Sequence, residues 1–129
     1  MTFLKPFSPY LLSAMRIAAG LLFLQHGASK YLSIPVTQMS GVEPTSLPGI
    51  AGGIELICGV LIVAGLFTRF AAFLASGTMA VAYFMVHAPN SLYPILNGGE
   101  LAALYSFVFV YLAAAGPGPI SLDRIIGRG

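Results

Sequence analysis

Four long apolar runs, separated by short polar breaks rich in proline and glycine, set out the plan of the chain: roughly residues 10–31, 48–66, 70–87 and 98–115. Each approaches the ~20 residues a helix needs to cross the hydrocarbon core at 1.5 Å per residue. All nine prolines fall at the ends of these runs or between them, where a helix with no water to satisfy its amides can tolerate them. Arg16 interrupts the first run, so it reads as a retained span and not as a cleaved leader. The pattern predicts an all-α protein, a four-transmembrane-helix bundle forming a single membrane domain over residues 1–129. Two longer connections, Leu32 to Pro48 and Ala88 to Asn97, lie at one end, and a tight turn at Phe67-Thr68-Arg69 lies at the other.

Composition agrees with this pattern. Hydrophobic residues make up 57% of the chain and charged residues 8%, with a mean hydropathy of +0.89, whereas soluble domains carry about 25% charge. The lipid bilayer is therefore the first partner. Lys5, Arg69, Arg124 and Arg128 fall on one side of the four spans and Lys30 on the other, an asymmetry that predicts an N-in/C-in topology. A net charge of +2 is too small to suggest nucleic acid. Cys58 is the only cysteine and lies mid-span, so the chain alone makes no internal disulfide and performs no dithiol exchange.

The chemistry resides in the few ionisable groups that interrupt the apolar runs. Glu55 sits deepest, where a carboxylate demands a partner or a purpose. In the N-in arrangement His26, Glu55, His87 and Glu100 share a depth near the outer face, Lys30 lies one turn beyond His26, and Tyr83 lies one turn from His87. These six are the candidate ligand- or proton-binding residues, suited to a proton relay or to a polar head group. The competing reading is structural, with Glu-His or Glu-Lys bonds merely registering helix on helix. No Glu-x-x-His or His-x-x-x-His spacing occurs, so no metal site is assigned, and haem held by His26 and His87 ranks with metal below quinone. Arg16, Arg69 and Asp123 form a second group, expected as a structural charge cluster at the inner surface in which Arg16 snorkels or pairs with Asp123. A faint repeat, histidine, loop, Gly-Gly, Glu-Leu, links the two halves: His26 to Glu55 and His87 to Glu100.

The ordered set Arg16-Ile17-x-x-Gly20, His26-Gly27-x-x-Lys30, Gly53-x-Glu55-Leu56-x-x-Gly59, Gly65-Leu66-x-Thr68-Arg69, His87, Asn97-Gly98-Gly99-Glu100-Leu101 and Gly116-Pro117-Gly118-x-x-Ser121-Leu122-Asp123 resembles the DoxX family of small membrane proteins. The resemblance implies a four-helix protein of the bacterial inner membrane. It also implies association with membrane redox systems, since the family takes its name from likeness to a subunit of a thiosulfate:quinone oxidoreductase. The expectation is a non-catalytic or co-catalytic subunit of a quinone- or thiol-linked system. A transporter of small solutes or protons and a ligand-free assembly scaffold are its rivals. Four short helices leave much apolar surface, so a protein partner or a homo-oligomer is expected.

Overall fold

The first apolar run folds as α1, Ser8–Leu32, in the computed structural model, which describes residues 1–128. Pro9 stands in its first turn, where a missing N–H costs nothing. Helix α2, Leu47–Ala64, starts at Ser46, whose hydroxyl accepts the Gly49 N–H (3.1 Å), and stops at Gly65. Gly65 takes a left-handed φ of 71°, which a residue without Cβ adopts freely, so α2 ends two residues before the apolar run does. Helix α3, Thr68–Ala82, continues into a π-helical turn at Tyr83–His87 and a 3-10 turn at Ala88–Asn90. A short α4, Pro94–Asn97, precedes α5, Glu100–Ala115, and α6, Leu122–Ile125. All regular structure among the described residues is helical. Thr2–Leu32, Leu47–Ala64 and Thr68–Asn90 are long and apolar enough to cross a membrane, and α5 is apolar but shorter, at 16 residues.

Side-chain size decides how these helices pair. Helix α1 packs on α2, α3 packs on α5, and α2 meets α3. Between α1 and α2 the backbones nearly touch, since a Cβ at Gly27 would stand 2.5 Å from Leu56 N and one at Gly59 would stand 2.8 Å from Leu24 Cα. Such glycines substitute for the hydrophobic drive that lipid cannot provide. On α3, Ala71, Ala72 and Ala75 are fully buried, and Ser76 and Ser106 each donate to the other's carbonyl, at 2.7 and 3.2 Å. Between the two pairs lie large rings: Phe23 of α1 meets Phe109 and Tyr105 of α5 edge-on, at 4.9 and 5.7 Å. Phe70, Phe84 and Phe107 point outward, as a lipid-facing surface requires.

At the end that holds both termini, charges complete the helix ends. Arg16 is 1% exposed, so it does not snorkel, and its guanidinium donates to Ile62 O (2.9 Å), Val63 O (3.5 Å), Ile120 O (2.7 Å) and Pro117 O. These are last-turn carbonyls of α2 and loop carbonyls beyond α5, groups left open where a helix ends. Arg69 donates to Ala113 O (3.2 Å) and Ala114 O at the end of α5. Asp123 accepts the N–H groups of Phe67 (2.8 Å) and Thr68 (2.9 Å) at the start of α3. Each charge has the sign its helix end favours. The three therefore share one end of the protein, but each binds backbone, and Arg16 and Asp123 form no ion pair. Burial opposes charge on Asp123, but the N–H groups of Thr68 and Phe67 and the charge of Arg128 outweigh it, holding its carboxyl below the usual range.

Candidate functional site

Glu55 lies on the third turn of α2, 3% exposed, and the ammonium of Lys30 reaches it from α1 (Nζ to Oε1, 2.6 Å). Gly52 makes this possible: a Cβ there would stand 2.7 Å from Lys30 Cδ, so the lysine stem lies across a bare stretch of α2. Lys30 with Glu55 is the one ion pair among the described residues. Beside it, His26 bonds through Nδ1 to Leu22 O (2.9 Å). A carbonyl only accepts, so in the neutral ring Nδ1 carries the hydrogen and Nε2 remains an acceptor.

The π-helical turn Tyr83–His87 brings the second histidine in. His87 Nδ1–H donates to Asn97 O (3.0 Å), which again leaves Nε2 unused. Asn97 is buried and ties this corner together, donating to Ser91 O (3.1 Å) and Tyr83 Oη (3.3 Å) and accepting Gly99 N–H (2.8 Å). Asn97 was not among the six candidate binding residues, although it stands in the Asn97-Gly98-Gly99-Glu100-Leu101 run that carries the family resemblance.

His26, Lys30, Glu55 and His87 all line one cavity of about 750 Å³ between α1, α2, α3 and α5, within the usual range for small-molecule sites. The remaining lining is largely apolar, including Ile50 and Ile54 of α2, Phe73, Leu74 and Val81 of α3 and Leu101 of α5. Tyr105 lines it too. Tyr83 stands behind the lining, its ring against Gly99 and its hydroxyl accepting from Asn97. Glu100 does not join the group. Because α5 begins at Glu100 itself, the carboxylate sits in the first turn and is exposed, whereas α2 begins eight residues before Glu55. The two halves of the repeat thus differ where it matters chemically. Among the described residues no three histidine, cysteine, aspartate or glutamate side chains gather as metal ligands.

The DoxX family model matches residues 11–88. The chain belongs to the DoxX family. Within curated proteins this DoxX chain is 41% identical over 126 residues to a Haemophilus influenzae protein called "Uncharacterized protein", covering 94% of each chain. It is 30% identical over 118 residues to "Putative oxidoreductase CatD" of Bacillus subtilis, covering 89% of this chain and 86% of the other. No solved structure matches it. Family membership and the apolar helices together make the DoxX chain a multi-pass membrane protein that resides in a lipid bilayer.

Proposed function

We propose that the chain is an integral subunit or accessory protein of a quinone-linked redox system in the bacterial inner membrane, oriented N-in/C-in, and that its cavity holds the quinone head group. The observation that carries this reading is the cavity itself, in which an ammonium–carboxylate pair and two imidazoles meet an otherwise largely apolar lining. Those are the needs of a molecule with a polar ring and an apolar tail. Lys30 Nζ donates to one quinone oxygen. As the quinone takes two electrons and two protons to become a quinol, Glu55 and the Nε2 atoms of His26 and His87 hand on protons. With a single cysteine, the chain relies on a partner subunit for the electrons, and its apolar outer surface suits that partner or a second copy. The word oxidoreductase in the name of the Bacillus subtilis relative lends coarser support.

Binding of a decyl-tailed benzoquinone to the purified chain in lipid nanodiscs tests this reading. Glu55→Gln keeps the shape and removes the charge, and is expected to lower affinity about tenfold, equivalent to about 1.4 kcal/mol; His26→Ala lowers it by a similar factor. If both variants bind as the wild type does, the quinone reading fails. A scaffold in which Lys30 and Glu55 only hold α1 to α2 predicts less folded protein but no binding by any of it.

A further inference from the structure

Among the described residues that line the cavity, Tyr105 carries a buried hydroxyl without a partner. Tyr105 is 4% exposed, its ring stacks on Phe109 (5.4 Å) and takes the edge of Phe23, and the His26 ring stands edge-on at 6.2 Å. Its hydroxyl is buried and makes no hydrogen bond among the described residues. A buried phenol usually finds an acceptor, and leaving one without is costly. The ring is held by its neighbours, so a residue that lines the cavity carries a fixed, buried and unused donor.

A second feature concerns access. Along α3 and the π-helical turn that continues it, the lining extends from Phe73 to Val86, which at about 1.5 Å per residue is roughly 20 Å of depth. Ile50 of α2 and Phe73 and Val81 of α3 line the cavity and are also 54%, 68% and 49% exposed. The cavity is therefore a cleft open on the flank between α2 and α3, the side that faces lipid. Gly77 lies midway along it, and a Cβ there would meet nothing within 4 Å. Packing within the chain does not require a glycine at that position; the open cleft in front of it does gain from one.

We propose that a membrane-dissolved molecule with an apolar tail and a carbonyl-bearing head reaches the cavity sideways from the bilayer, between α2 and α3 past Gly77, and that Tyr105 Oη donates its free hydrogen to the head-group oxygen. The inference rests on the quinone reading of the same cavity and adds the route and the anchor. No covalent bond changes in this step; the phenol keeps its proton and gives one hydrogen bond.

Two probes in nanodiscs separate the outcomes, a dimethoxy-methyl benzoquinone with a decyl tail and the same ring without the tail. Tyr105→Phe is expected to lower affinity for both probes about tenfold, as loss of one buried hydrogen bond does, and to leave thermal stability unchanged or raised because the hydroxyl has no partner in the empty protein. Gly77→Phe blocks the flank and lowers affinity for the tailed probe at least about tenfold, while the bare ring binds within about twofold of the wild type. Wild-type affinity for the tailed probe in both variants, or a thermally weakened Tyr105→Phe, would overturn the inference while leaving the quinone reading intact. Failure of the wild type to bind either probe would overturn both.

Discussion

At the scale of single residues, cost singles out the important side chains. Removing one partner of the Lys30–Glu55 pair leaves the other charge almost buried, and such losses typically cost about 3–5 kcal/mol. Lys30→Met and Glu55→Leu should each lower the unfolding midpoint in detergent steeply, and the double variant should lose much less than their sum; strict additivity would mean the two do not act as a pair. Asp123 makes a pH prediction. Its folded pKa is depressed, so its contribution is complete above the unfolded value of about 3.9 and is lost as pH falls through the folded value. Asp123→Asn should cost about 2 kcal/mol at neutral pH and flatten the fall in stability below about pH 4, read from melting curves across pH. The ionisable groups in apolar runs were legible in the sequence because each is expensive there. The backbone partners of Arg16, as far away as Ile120, were not, and Tyr105 was hidden because an aromatic at helical spacing ordinarily means core.

Elements were legible where the backbone has a local reason to stop. Gly65 ends α2 with a left-handed φ of 71°, and the prolines gather at helix starts and loops. The start of α5 was harder to read: the Asn97 side chain and the glycines that follow it set Glu100 as the first helical residue, which put its carboxylate outside the cavity. Glycines divide into two kinds that no sequence pattern separates. Gly27→Ala forces a Cβ to 2.5 Å from Leu56 N and should separate α1 from α2 at a cost of about 1–3 kcal/mol. Gly53→Ala, one residue from the lysine stem, meets nothing within 4 Å and should melt at or above the wild-type temperature, since alanine favours the helix by roughly 1 kcal/mol. If the two variants melt alike, helix contact does not explain the glycines.

At the scale of the whole molecule, the chain is built as two helix pairs. Arg16, Arg69 and Asp123 stitch the end where the termini lie, while the other end carries a polar pair inside an apolar cleft. A bundle stitched at one end can hold an open cleft at the other without losing its register. The proposed N-in/C-in orientation predicts that, in intact cells, an impermeant maleimide labels Thr45→Cys and spares Arg124→Cys, with the buried Cys58 as silent background; the reverse pattern would invert the membrane sidedness of the cavity. Whether this cleft holds a membrane quinone can be read by native mass spectrometry of the protein released gently from its own membrane. The wild type should carry an added mass equal to the resident quinone, diminished in Glu55→Gln. A wild-type chain that emerges bare, with or without copies of itself, under conditions that preserve bound lipid would contradict the quinone reading.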